Sequence, residues 1–438
     1  MQIELENCLP IRDESGNKVS KRAPIVSHDI TYDDFFVKFI LQNQACLIKN
    51  ITSNWNCTKQ WFTNGKVNTT YLSKQFGHSN ILLYDCHEKY FNSQKTKNDK
   101  FDNFLEYWQK YINGNYNNQM PLYYLKDWHL KNLFPNNNFY DVPYYFASDW
   151  LNEYLIETSD DDYRFVYMGP RGSWTPFHAD VFNSFSWSAN VSGKKKWFLF
   201  PPGNEEKLKD SLGNLPYDVS DLKDEIAYYE IIQSSGDVVF VPSGWYHQVW
   251  NIEDTVSVNH NWINGCNIEK MWKSLEKSLT DVKNETKDCS EMSNYSKHCQ
   301  VMLKSYFGID FLEFYRFLLY IAQKRLKLIK ESVDIKLFEI YTLGFNHSLF
   351  DLLAIKNVLK LIQSNNDFID LLNINPVEKY PDMLFNEIIS VTDTIIVNKS
   401  NNKDRMMNYS LSFLNSLFFI FFFVFSIYSL KFPFSLFR

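Results

Sequence analysis

His178 and Asp180 stand two residues apart at the end of the run TrpThrProPheHisAlaAsp. On an extended chain, residues two apart project from one face, so an imidazole and a carboxylate at these positions can reach one cation together. Such a pair is also common among ordinary solvated or hydrogen-bonded side chains. A third donor on another strand changes its meaning, and the run SerGlyAspValValPheValProSerGlyTrpTyrHisGln offers His247. There Gly236 and Asp237 make a turn, Val238 to Val241 a buried strand, and Pro242, Ser243 and Gly244 a second turn that swings His247 inward. Two imidazoles and one carboxylate on one side of an ion leave the opposite positions open, which suits non-haem iron(II) activating oxygen. The competing reading makes His247 a satisfied core histidine.

These donors need strands to hold them. From Tyr163 the chain becomes a series of short apolar runs punctuated by Gly and Pro. In one of them Phe185, Trp187, Ala189 and Val191 alternate with Ser186, Ser188 and Asn190, the period-two pattern of a strand with one apolar and one polar face. Many short strands with turns between them predict a sandwich or barrel. Upstream, the spacing predicts an amphipathic helix starting near Thr31 and Asp33, a strand from Ala45, and a short helix from Tyr71 to Phe76. A strand from Ile81 to Cys86 and an aromatic-rich helix from Phe101 to Ile112 follow. Beyond Asn267, helical Leu/Ile/Phe/Lys segments extend from Met271 to about Ile362. The expected class is α+β, divided into a flexible leader (1–24), a catalytic domain (25–265, its barrel core at about 120–265), a helical C-terminal region (266–405) and a Phe-rich tail (406–438).

Composition narrows the function. The 438-residue chain carries 27 Tyr, 37 Phe and 12 Trp with an ordinary charged fraction, as a globular protein does. A net charge of −6 provides no general field for phosphate backbones, so nucleic acid is not an expected partner. Seven cysteines form no CxxC pair, which argues against a zinc module and a disulfide framework and fits a reducing compartment. The polar, acidic N-terminus lacks the basic start and apolar stretch of a signal peptide, and a cytoplasmic location, with the nucleus also open, is expected. The stretch from Leu411 to Leu430 is long enough to cross a bilayer, because ~20 helical residues span roughly 30 Å. It reads as translated thymine-rich non-coding sequence, as a membrane anchor, or as a buried core helix.

Three runs in this order and spacing, TrpThrProPheHisAlaAsp, SerGlyLysLysLysTrpPheLeuPheProPro and ValProSerGlyTrpTyrHisGln, resemble the Jumonji C (JmjC) domain. The clear match covers about Arg164 to Gly265. The resemblance implies a double-stranded β-helix, a jelly-roll or cupin-like barrel with N-terminal α/β elements and a helical C-terminal region. It also implies Fe(II), 2-oxoglutarate and O2, with His178, Asp180 and His247 as metal ligands. Lys195, seventeen residues past His178, matches the family's lysine for the distal carboxylate of 2-oxoglutarate. Strand alternation sends Lys195 to the face opposite Lys194 and Lys196, which are then solvated charges. Thr175 matches a hydroxyl that contacts the same carboxylate, and Asn259 and Ser188 match further pocket positions. Tyr123 and Tyr124, on an earlier strand, are read as core packing, with a phenol supplied to the pocket as the alternative, and His260, next to Asn259, as facing away from the metal. Trp174, Trp245 and Tyr246 either shape the substrate channel or seal the core.

Within the family, the runs TyrMetGlyProArgGlySerTrpThrProPheHisAlaAspVal and ThrValSerValAsnHisAsnTrpIleAsnGly are most similar to a branch of lysyl hydroxylases. That branch modifies the translation release factor, which implies a protein partner. An aspartate as the metal carboxylate and the lack of cysteine-rich chromatin readers favour hydroxylation over demethylation. The alternatives are a demethylase or hydroxylase of another lysine or arginine, and a non-catalytic cupin-like scaffold.

Overall fold

Alternation along residues 185–192 is realised as a strand: Phe185, Trp187, Ala189 and Val191 are buried in one aromatic core, while Ser186, Ser188 and Asn190 take the other face. The computed structural model describes residues 1–12, 22–117, 119–221, 226–374 and 383–399. It divides into two units, Met1–Lys379 and Tyr380–Arg438, the second described over 383–399 as a helix.

Eight strands form the centre of the first unit: β1 (Arg164–Gly169), β2 (Trp174–His178), β3 (Phe185–Ser192), β4 (Lys195–Phe200), β5 (Tyr229–Gln233), β6 (Val238–Val241), β7 (Tyr246–Asn251) and β8 (Thr255–Trp262). One sheet runs β2-β7-β4-β5. The other contains β6-β3-β8-β1 and is widened on one side by Cys46–Ile48 and Ile25–Val26, on the other by Tyr123–Trp128, Asn80–Tyr90 and Ser93–Lys100. Pairing within each four-strand set is antiparallel, and the chain crosses between the two sheets at every step except β4 to β5, which pair with each other. This is a cupin-type arrangement with mixed α and β content.

Gly193 makes the crossing from β3 to β4. Its φ of +79° is left-handed, and a Cβ there would lie 2.0 Å from the carbonyl oxygen of Asp254, so only glycine fits. Behind the second sheet, Phe146 stacks on Trp187 at 5.6 Å and Phe185 packs on Trp262 at 4.8 Å. The outer side of the first sheet is closed by Phe177, Phe198, Phe200, Val219 and Tyr228.

The N-terminal elements follow the predicted order. Thr31 caps Tyr32–Phe35 by accepting from the Asp34 amide, and Thr69–Phe76 and Phe101–Asn113 form the next helices. The leader expected over 1–24 is corrected at its start. Gln2–Ile3 pairs in parallel with Tyr341–Leu343, itself paired with Lys336–Leu337, and Ile3 and Leu5 are fully buried. Burying Ile3 and Leu5 outweighs the polarity of their neighbours, and strands of two or three residues are too short to show a period.

The C-terminal region is helical as predicted, over Ile268–Glu285, Tyr295–Phe307, Phe311–Glu331, Phe345–Gln363 and Asn366–Ile374, apart from that small sheet. Buried Arg325 ties it to the helix that precedes β1. Its guanidinium donates to both oxygens of Glu153, on helix Trp150–Thr158, and to Asp351. No helix among the described residues is long and apolar enough to cross a membrane, and the Phe-rich tail (406–438) lies outside them.

Candidate active site

β2 and β7 are neighbours, and their register sets His178 directly opposite His247. The register slips between Thr175 and His178, where Pro176 has no amide to give the ladder. Asp180 follows the end of β2, two residues past His178. One ligand atom from each of His178, Asp180 and His247 lies within 4.8 Å of the others.

The supporting bonds orient all three. His178 Nδ1 lies 2.7 Å from the Pro176 carbonyl and His247 Nδ1 lies 3.1 Å from the Trp245 carbonyl. A carbonyl only accepts, so each Nδ1 carries the proton and each Nε2 lone pair is left for an ion. Ser186 Oγ donates to Asp180 Oδ2 at 2.7 Å, which fixes the carboxylate and leaves Oδ1. Burial, and then the like charge of His247, push the His178 imidazolium down, so the ring is held in the neutral form that a metal requires. Two imidazoles and one carboxylate fit a divalent iron with open positions better than a closed four-ligand structural zinc site.

Lys195 is buried on β4, and its Nζ donates to Ser257 Oγ at 2.9 Å and Tyr124 Oη at 3.2 Å. No carboxylate among the described residues pairs with it. Burial therefore pushes this ammonium down to about 7. A buried cation bonded to two hydroxyls and facing the Tyr124 and Tyr167 rings, with no carboxylate beside it among the described residues, is suited to a carboxylate brought from solution. The adjacent lysines turn outward as alternation requires, Lys194 to Glu253 at 2.9 Å and Lys196 to Glu230 at 3.1 Å.

Thr175, His178, Asp180, Ser188, Lys195, His247 and Asn259 line one cavity, so all seven residues singled out in the sequence are brought together. Ser188 on β3 faces Asn259 on β8 across the ladder. The Ser188 hydroxyl is buried with no hydrogen-bond partner, while Asn259 Nδ2 donates to Ser257 at 3.2 Å.

Sequence reading missed several wall residues. Tyr124, read first as packing with a pocket phenol as the alternative, lines the cavity and holds Lys195, whereas its neighbour Tyr123 packs edge-on against Tyr107. Ser257, the hydroxyl under Lys195, shares the period-two face of Asn259 on β8, so alternation along ThrValSerValAsnHisAsnTrp was the available signal. Ser186 is found by the same rule on β3. Tyr124 belongs to a strand outside the recognised runs, and no local pattern marks it.

His260 points away from the metal side, as expected, with Tyr140 Oη at 2.6 Å and its ring stacked on Trp187 at 4.2 Å. Trp245 is buried and bonded to the Asn43 carbonyl, so it seals the core. Trp174 and Tyr246 are partly exposed. His129, Asp161 and Asp162 form a second cluster, but Arg164 Nε already holds Asp162 at 2.6 Å, making it an ion-pair knot.

Residues 165–262 match the family described as "JmjC domain, hydroxylase". The chain is 42% identical over 390 residues to the 2-oxoglutarate and iron-dependent oxygenase JMJD4 of Gallus gallus, covering 84% of this chain and 91% of that protein. It is likewise 42% identical over 352 residues to JMJD4 of Homo sapiens, covering 77% and 84%. The arginine-specific demethylase JMJ20 of Arabidopsis thaliana is 35% identical over 316 residues, covering 66% and 68%. These similarities enclose the whole metal and cosubstrate constellation, and the chain belongs to the Jumonji C family as a 2-oxoglutarate- and iron-dependent oxygenase of the JMJD4 type.

Proposed function

We propose that this oxygenase hydroxylates a side-chain carbon of an unmethylated lysine in the translation release factor, in the cytoplasm, from within a double-stranded β-helix. The barrel reading rests on strand order, since the chain passes between β6-β3-β8-β1 and β2-β7-β4-β5 at every step but β4 to β5, and the two sheets wall one cavity. The substrate reading is carried by the reach of the similarity. It spans 91% of the Gallus gallus relative, so it takes in surfaces that select a substrate as well as the metal barrel. The release-factor branch is also the one whose runs around His178 and Asn259 this sequence resembles.

When bound, iron(II) with 2-oxoglutarate and oxygen supplies the oxidant for a C–H bond, and 2-oxoglutarate leaves as succinate and carbon dioxide. His178, Asp180 and His247 would hold the metal from one side. Lys195 and Thr175 would receive the distal carboxylate, with Ser188 and Asn259 beside it. Ser186 keeps Asp180 aimed at the ion, and Trp197 and Val249 in the wall keep water out.

Identity to an arginine-specific demethylase supports a second reading, oxidation of an N-methyl group. The two differ in the sign of the mass change. Mass spectrometry of the release factor's AsnIleLysSer peptide, after incubation with enzyme, iron, ascorbate and 2-oxoglutarate, is expected to show one oxygen gained on lysine. Release of formaldehyde from a methylated peptide, with no oxygen gained on the release factor, would replace hydroxylation by demethylation and leave the iron site untouched.

A further inference from the structure

Tyr167 on β1 lines the metal cavity, and its phenol donates outward to Asp127 Oδ1 at 2.6 Å. A second phenol, Tyr84, donates to Asp127 Oδ2 at 2.8 Å. Each carboxylate oxygen thus takes one proton donor and keeps a further acceptor position. The carboxylate is exposed, and no cation among the described residues pairs with it. Its chain neighbour Lys126 is engaged elsewhere, with Nζ on Gln94 Oε1 at 3.0 Å and over the Tyr84 ring at 4.2 Å.

The backbone gives this residue a special placement. Asp127 has a left-handed φ of +54°, and the pairing of Tyr123–Trp128 with β1 slips between Leu125 and Trp128. An irregularity of this kind beside a site turns a side chain out of the alternation that its strand would impose. Burial first, and then the charge of Asp127, hold the Tyr167 proton in place, so the phenol remains a donor. A negative group one hydrogen bond from the cavity wall, oriented by two tyrosines and lacking a cation, is complementary to a cationic side chain entering that cavity.

We propose that Asp127 is the specificity carboxylate of this enzyme, receiving the ε-ammonium of the target lysine between the Tyr84 and Tyr167 phenols. This rests on the lysine reading above. The test uses the full chain with the release-factor AsnIleLysSer peptide and the same peptide carrying norleucine, which keeps the carbons and removes the ammonium. With the unaltered enzyme, KM should rise about tenfold or more for norleucine, the loss of one charge-assisted hydrogen bond. Asp127→Asn should raise KM for the lysine peptide by a similar factor and add little on the norleucine peptide, because both changes remove one interaction.

Asp127→Glu, which restores the charge, should recover part of the loss. That recovery separates charge recognition from a merely structural role for the Tyr84–Asp127–Tyr167 bridge. If the unaltered enzyme oxidises the lysine peptide while Asp127→Asn does so equally well, or if the two losses add independently, Asp127 is not the anchor although the lysine assignment stands. Equal KM values for lysine and norleucine peptides on the unaltered enzyme would also overturn it. No oxidation of the lysine peptide at all, with Asp127-dependent turnover of a methylated arginine peptide, would sink the lysine assignment itself.

Discussion

His178 and Lys195 do different work, and their substitution should be felt differently. His178→Ala removes one metal bond and leaves space that water can fill, so 2-oxoglutarate turnover should be abolished while the melting temperature stays near that of the parent. Succinate formation measures the first and calorimetry the second. Lys195→Ala leaves an incoming carboxylate unpaired in a buried site, a loss of about 2–5 kcal/mol by analogy with truncated buried charge pairs. The 2-oxoglutarate requirement should therefore rise at least tenfold, whereas Lys194→Ala, which only releases an exposed pair with Glu253, should stay near the parent. Equal effects at both positions would contradict the inward placement of Lys195.

Lys195 also makes a pH prediction. Its ammonium is held down at about 7 against an ordinary 10.5, so between these values the free folded protein has lost a proton that the unfolded chain still binds. Stability of the cosubstrate-free protein should consequently rise with pH across that window. Binding of 2-oxoglutarate has the opposite slope, because the lysine must regain its proton to pair with the carboxylate. Titration calorimetry between pH 6 and pH 9 should show affinity falling above about 7 with proton uptake on binding. Lys195→Met should flatten the slope.

What was legible at this scale was chemistry carried by local pattern. His178, Asp180 and His247 stand in short runs whose turns and alternation imply their directions. The role of Tyr124 could be raised but not decided, because its phenol reaches Lys195 only through the pairing of Tyr123–Trp128 with β1, a match the local sequence does not encode.

Among the elements, the β3–β4 crossing is the most demanding. Gly193→Ala would place a methyl against the Asp254 carbonyl at a left-handed φ, so a loss of more than about 1 kcal/mol is expected, with a weakened grip on 2-oxoglutarate because Lys195 is two residues on. Urea unfolding with and without cosubstrate measures both. Strands β3 and β8 were legible because one face is apolar and the other polar, and helices such as Phe101–Asn113 because aromatics recur at helical spacing. The strand at Gln2–Ile3 was not, since what makes it a strand is a partner more than 300 residues away, at Tyr341–Leu343, rather than its composition.

On the scale of the whole first unit, Arg325 links helix Trp150–Thr158 to the C-terminal helices through Glu153 and Asp351, all buried. Removing only the guanidinium leaves Glu153 to Lys324 at 3.0 Å and Asp351 to Trp150 Nε1 and His347, which offset less of the buried negative charge. Arg325→Leu should therefore cost about 3–5 kcal/mol, read as a lower denaturation midpoint with the metal ligands intact. The chain order of mixed α/β elements, short strands and helices was legible, but not this knot, which joins residues from three separate helices.

The central claim is that His178, Asp180, His247 and Lys195 serve one oxygen-inserting reaction on lysine. Turnover of the release-factor peptide under isotopically labelled oxygen gas tests it most directly. One labelled oxygen is expected in the lysine and one in succinate, in equal amounts, with both signals lost on removing iron or 2-oxoglutarate. Succinate formed without label in the peptide, together with formaldehyde from methylated arginine or lysine, would show that this site oxidises a methyl group instead.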